Sequence, residues 1–132
     1  MNEADLLKRT KKFGLRIMKL ADAIPQKPSG RILASQLLRS GTSVGANYRA
    51  AYRGRSKAEF ISKLGNCEEE ADEGAYWMEL LMEAEPMKPQ LVVSLHREAS
   101  ELTAIMASSR LTAKERPVNG KAIANRQLQI AN

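Results

Sequence analysis

Between Phe60 and Leu81 the chain keeps one rhythm for three heptads. Phe60, Leu64, Cys67, Ala71, Gly74, Met78 and Leu81 follow one another in alternating steps of four and three. Only a helix gathers residues at that spacing onto one stripe, because a strand would throw successive members to opposite faces. Ser56-Lys57-Ala58-Glu59 just before it reads as a capping box, with the Ser56 hydroxyl accepting from the Glu59 N–H and Glu59 reaching back. A helix from Ser56 to about Glu85 is roughly 45 Å long at 1.5 Å per residue. Its apolar stripe requires other helices to cover that side.

Three further segments supply them. From about Glu3 to Ile24, Leu6, Thr10, Phe13, Ile17, Leu20 and Ile24 repeat the rhythm, with Asn2 as N-cap and Glu3 and Asp5 in the first turn. Pro25, Pro28, Ser29 and Gly30 end that helix in a turn. The second helix spans about Ser29 to Arg53 with the stripe Leu33, Leu37, Ser40, Val44, Asn47 and Ala51. Its middle, Ser40 to Ala46, is a poor helix former, since each glycine costs about 1 kcal/mol relative to alanine. Either a neighbouring helix packs closely on these small residues, or the run is a loop. Pro86 and Pro89 bracket the last turn, and the fourth helix, about Lys88 to Leu111, is expected to bury Leu91, Leu95, Leu102 and Ile105. The fold class is therefore all-α, an antiparallel up-and-down four-helix bundle over residues 1–111, followed by a basic, polar tail at 112–132.

With 132 residues the chain is long enough for one core without staples. The lone cysteine, Cys67, can form no internal disulfide and is expected to be a structural thiol. The charged N-terminus and the lack of a long apolar run point to a cytoplasmic protein with no membrane partner.

Chemistry-bearing constellations are sparse. A di-iron bundle needs paired Glu-x-x-His motifs. This chain has one histidine, His96, and Val93 stands where the glutamate belongs. No metal, no cofactor and no catalytic set is expected, and the chain does not read as an enzyme. The acidic cluster Glu68, Glu69, Glu70, Asp72 and Glu73 reads as a solvated face or a partner for arginines. Asn47, on the core stripe, is expected to bond a group on a facing helix and help fix register. Trp77, one position off the third stripe, belongs at the bundle boundary or a subunit interface, largely buried.

Charge is the remaining signal. Residues 1–55 hold 12 Lys/Arg against 3 Asp/Glu, residues 56–85 hold 2 against 9, and residues 86–132 hold 7 against 3. The blocks either neutralise one another between helices or subunits, or leave a basic outer surface for RNA or DNA. Lys8, Arg9, Lys11, Lys12, Arg16 and Lys19 fall off the first apolar stripe, and Arg39, Arg49 and Arg53 off the second; Lys8, Lys12, Arg16, Lys19, Arg49 and Arg53 are the candidate contacts. Residues so placed can neutralise phosphates without reading sequence. Tyr48 and Tyr52, one turn apart, are candidates for base stacking or, by preference, for an interface.

The middle of the chain also resembles a known family. The run Ser40-Gly41-Thr42-Ser43-Val44-Gly45-Ala46-Asn47-Tyr48, then Arg55-Ser56-Lys57-Ala58-Glu59-Phe60, Lys63-Leu64, Glu70, Glu73 and Tyr76-Trp77-Met78-Glu79-Leu80-Leu81 is similar to the intervening-sequence proteins encoded within 23S ribosomal RNA genes, also called the S23 ribosomal protein family. The resemblance covers about residues 5–110. It implies a four-helix bundle assembled as a homopentamer, with Asn47, Glu70, Glu73, Tyr76 and Trp77 as structural or interface residues. A related bundle that serves a retroelement reverse transcriptase binds nucleic acid. The combined expectation is a non-catalytic oligomeric adaptor for nucleic acid, with a protein-interaction scaffold as the alternative.

Overall fold

A computed structural model describes residues 1–84 and 89–116. Four helices follow in order: α1 Glu3–Ala23, α2 Pro28–Tyr52, α3 Lys57–Ala84 and α4 Pro89–Glu115. The described residues contain no strand. Each helix packs on the next in sequence, and α1 closes the bundle against α4 along the thinnest of the four seams. Paired contacts run in opposite senses on neighbouring helices. Ser40 faces Gly74 while the Val44 carbonyl faces Cys67, and Arg9 reaches Glu98 while Arg16 reaches Ser94. The topology is thus an antiparallel, up-and-down bundle, as connections of four residues each demand.

Local chemistry sets the helix ends. The Asp5 N–H donates to Asn2 Oδ1 at 2.8 Å, and the Asn2 N–H donates to Asp5 Oδ2 at 3.1 Å, so both partners of a capping box are made. Ile24 leaves α1 in extended geometry before Pro25. At α3 the Glu59 N–H donates to Ser56 Oγ at 3.0 Å. Glu59 reaches back to the Arg55 N–H, at 3.4 Å, one residue earlier than expected.

The stripes of α1 and α3 are buried throughout, including Phe13, Ile17, Leu64, Cys67, Met78 and Leu81 at 1% exposure or less. Each large aliphatic or aromatic side chain so buried contributes about 1.5–3 kcal/mol. The Ser40–Ala46 run is helical. Its small residues let α1 approach: a methyl group on Gly41 would lie 2.6 Å from Ile17 Cγ1. The hydroxyls of Thr10 and Ser40 are buried without loss, because each donates to the carbonyl four residues back, Leu6 and Gln36, at 2.8 and 2.9 Å.

Four expectations are corrected. Asn47 does not bond a facing helix; its Nδ2 donates to the Ser43 carbonyl of α2 itself at 2.9 Å, and the next residue, Tyr48, takes the core position. A strict 3.5-residue period drifts on a straight helix, and α2 has drifted by one residue there. Tyr48 and Tyr52 lie in the core with ring centroids 6.1 Å apart, so neither presents a face to solvent. In α4 the buried stripe is Val92, Leu95, Ala99, Leu102 and Met106, whereas Leu91 is 56% exposed and Ile105 half-buried. Finally, α4 runs to Glu115 with Ala113 in the core, so the bundle continues past residue 111. The segment 117–132 lies outside the described residues. Among the described residues no helix is long and apolar enough to cross a membrane.

Candidate nucleic-acid interface

The cations of this chain divide into those already matched by an acid and those that are not. Arg9 is matched most fully. Its Nε and Nη2 grip both oxygens of Glu98 at 2.7 and 2.6 Å, and Nη2 also meets Glu101 Oε2 at 2.7 Å. The hydrogen bond to Glu98, above all, holds the guanidinium above its ordinary pKa. Arg39 on α2 faces Glu73 at 3.5 Å, and Arg110 on α4 faces Glu68 at 2.9 Å. The acidic cluster of α3 is therefore partly a partner for arginines. No group of three or more His, Cys, Asp or Glu among the described residues is arranged to hold a metal ion. His96 lies at the boundary, its Nε2 3.0 Å from Glu79 Oε2. Cys67 is fully buried beside the Val44 carbonyl, and burial pushes its thiol up to about 12.

Lys8, Lys12 and Lys19 are exposed, and none of them forms an ion pair among the described residues. Arg16 is half-buried and donates from Nη2 to Ser94 Oγ at 3.0 Å. These four lie on the outward flank of α1 that turns towards α4, one lane about 16 Å long at 1.5 Å per residue. The other two candidates are elsewhere. Arg49 shares the groove between α1 and α2 with Lys11, on the opposite flank of α1. Arg53 is the C-cap of α2, exposed. The six residues thus form a row of four and two separate cations.

A second surface lies along the outer edge where α2 meets α3. Tyr76 is 53% exposed, its ring in edge contact with Trp77 at 5.2 Å. Trp77 is half-buried against the core, and its indole Nε1 is buried with no hydrogen-bond partner. Glu70 Oε2 is in the same condition two turns earlier. Burial first, then the neighbouring Glu73, raises the Glu70 carboxyl above its ordinary pKa. Asn47 is half-buried on the α2 side of this edge, and Ile32 on α2 is 63% exposed.

Sequence reasoning missed the use of Arg9, which it grouped with the off-stripe cations. The signal was present as Glu98 and Glu101, a three-residue step that puts two carboxylates on one face of α4. It also missed a groove of about 340 Å³ between α1 and α4, lined by Arg16, Lys19, Leu20, Leu91, Ser94 and Leu95 among others.

Comparison with known proteins agrees with this architecture. A crystal structure of a protein of unknown function from the S23 ribosomal protein family of Bacteroides thetaiotaomicron VPI-5482 superposes with a TM-score of 0.76 at 32% identity. The match covers 83% of this chain and 98% of that one. No protein of curated function matches the chain. A family model described as 23S rRNA-intervening sequence protein matches residues 2–108. Matched over most of its length and similar in sequence and fold to a solved member, the chain belongs to the 23S rRNA-intervening sequence protein family.

Proposed function

We propose that this protein is a non-catalytic homo-oligomer, a ring of five subunits, that binds RNA or DNA through the cationic flank of α1. One observation carries the reading: the arginines that face acids are matched, while Lys8, Lys12 and Lys19 are left exposed and unpaired among the described residues. Unmatched cations in a row attract a polyanion and release its counterions, whatever the base sequence. A ring repeats the row once per subunit, and repetition strengthens weak contacts because each later one is intramolecular.

The ring reading is supported by the α2–α3 edge. Buried polar atoms without partners are uncommon, and Trp77 Nε1 and, two turns away, Glu70 Oε2 lie on the α3 side of this edge, which also carries exposed Tyr76. A neighbouring subunit supplies the missing partners. The α1–α2 groove, with exposed Leu15 and Met18 and the cations Lys11 and Arg49, complements an edge that carries Glu70 and Glu73. Two unlike faces that meet make a head-to-tail contact, the kind that closes rings. On this reading Arg49 serves assembly and the lane on α1 serves nucleic acid. The lone thiol and the absence of a spanning helix among the described residues support a place in the cytoplasm.

Fluorescence anisotropy at rising salt tests the binding. Wild type should bind at low salt with little sequence preference and lose affinity steeply as salt rises, and Lys12→Glu/Arg16→Glu should abolish binding without unfolding. No binding at low salt, or equal binding by the double variant, would leave a second reading. That reading is an oligomeric protein-interaction scaffold, favoured by the use of Arg39 and Arg110 within the subunit. Light scattering that found a monomer at micromolar concentration would end the ring reading.

A further inference from the structure

We propose that the α1 lane takes single-stranded rather than duplex nucleic acid, seating one unstacked base in the groove between α1 and α4. The inference rests on the nucleic-acid reading above and names its substrate class.

The groove encloses about 340 Å³, within the range of pockets that hold small molecules. Its floor is aliphatic: Leu20 and Ala23 from α1, Leu91 and Leu95 from α4. Leu91 is the notable member. It flanks the core stripe of α4 on the side of α1, yet 56% of it is exposed. The rim is of another kind. Arg16 and Lys19 stand on the α1 side, Gln90 and Ser94 on the α4 side. Ser94 Oγ accepts from Arg16 at 3.0 Å, so its own O–H is left to donate.

An apolar floor beneath a cationic and hydrogen-bonding rim matches a nucleobase in detail. A base has apolar faces, a polar edge, and a phosphate on either side. Lys19 and Arg16 flank the groove, and Lys12 and Lys8 continue from it one and two turns along α1, so phosphates beyond the seated base meet further cations. In a duplex the faces are stacked away, and the backbone presents only phosphate and sugar. A duplex could use the lysines, but it would leave the leucine floor wet. A single strand uses both: proteins that hold single strands pair a cationic track with side chains that cover base faces, usually aromatic ones, and here leucines take that place. The competing occupant, an acidic amphipathic helix, needs apolar anchors over two turns. This floor offers about one turn on each side, from Leu20 to Ala23 and from Leu91 to Leu95.

The test measures anisotropy of a labelled single strand and of the same strand in a blunt duplex, at one salt concentration, on the full chain. Leu91→Gln is the variant. It is neutral, compatible with a helix and already half in water, and an unchanged melting temperature verifies its fold. Wild type should hold the single strand about ten-fold more tightly than the duplex. Leu91→Gln should erase that advantage and leave duplex affinity as it was. Equal affinity of wild type for both forms, or a single-strand affinity unmoved by Leu91→Gln, overturns the inference while the cationic lane stands. Failure to bind either form at low salt removes the lane itself. An acidic amphipathic peptide that binds wild type and is lost in Leu91→Gln, with no discrimination between nucleic-acid forms, assigns the groove to a protein segment and also overturns it.

Discussion

Helix α1 is held on its two flanks by opposite means. Against α2 it lays Gly14 beside the backbone of Gly41 and Thr42 and drives Ile17 onto Gly41, so the contact is made where side chains are missing. Against α4 it relies on long side chains that span a gap, with Arg9 forked onto Glu98 and Arg16 on Ser94, and an aliphatic groove stays open beside them. Close backbone contact is governed by steep, short-range repulsion and fixes the spacing of two helices tightly. Charged side chains reach, flex and leave room. The difference teaches where to look for function: the flank closed by charge leaves an aliphatic groove open between the helices, whereas the close seam with α2 leaves room only on its outer side, where Leu15, Met18, Lys11 and Arg49 stand.

Four measurements would break or sharpen that contrast. The largest effect belongs to Cys67, inside the neighbouring close seam between α2 and α3. With its thiol pushed up to about 12, it should react at pH 8 about three orders of magnitude more slowly than in the unfolded chain, where the value returns to about 8.5. Because the folded value is the higher one, this group favours the fold fully below about pH 8.5, and that contribution is lost as pH rises towards 12. A native rate near the unfolded rate would show that the seam opens freely. Next, Gly41→Val should cost about 3 kcal/mol in thermal or urea unfolding, because Ile17 Cγ1 and Cγ2 lie 2.6 and 2.7 Å from the first added carbon. A variant that melts like wild type would mean the two helices are not in close contact at all. On the other flank, Arg9→Met should cost about 2 kcal/mol at low salt, since it strands a Glu98 side chain that is only 15% exposed. Arg9→Met/Glu98→Met should recover part of the loss. If the single variant costs nothing, charge does not hold that seam. The smallest change is Gly14→Ala, whose new methyl meets Gly41 O and Thr42 Cα at an ordinary 3.8 Å. It should gain up to about 1 kcal/mol from helix propensity, and a loss instead would mean the close approach extends a turn further than Gly41.

Much of this architecture was legible in the sequence, for unequal reasons. Helix α3 could be read position by position because seven stripe residues hold one phase and every one is buried. Helix α4 could not, because Leu91, Val92 and Val93 are all apolar and give no phase at its start. Ala99 and Met106, rather than Ile105, decide it, and that becomes visible only once α3 is in place. In α2 the sequence pattern chose Asn47 over Tyr48 by carrying a seven-residue period too far along a helix that does not supercoil so strictly. The cations of the candidate site were legible as types and as an off-stripe set. Which of them an acid would claim was not, because Arg9 is matched only through the rotation that turns Glu98 and Glu101 towards α1. Arg49 was separated from Lys8 and Lys12 by the same kind of fact, the position of α2 around α1.

The fork of Arg9 on Glu98 spans 89 positions of chain. Hairpins of adjacent helices close short loops, whereas this seam closes nearly the whole bundle, and non-local contacts of that kind form late because chain entropy must be lost before they return anything. During synthesis the first three helices can pair as they emerge. The leucines of α1 that α4 will cover, Leu20 among them, meanwhile stay open to the surroundings. The nascent chain therefore passes through a stage in which a cationic helix beside an uncovered apolar strip is presented next to the ribosome that made it, and the stage ends only when α4 has emerged.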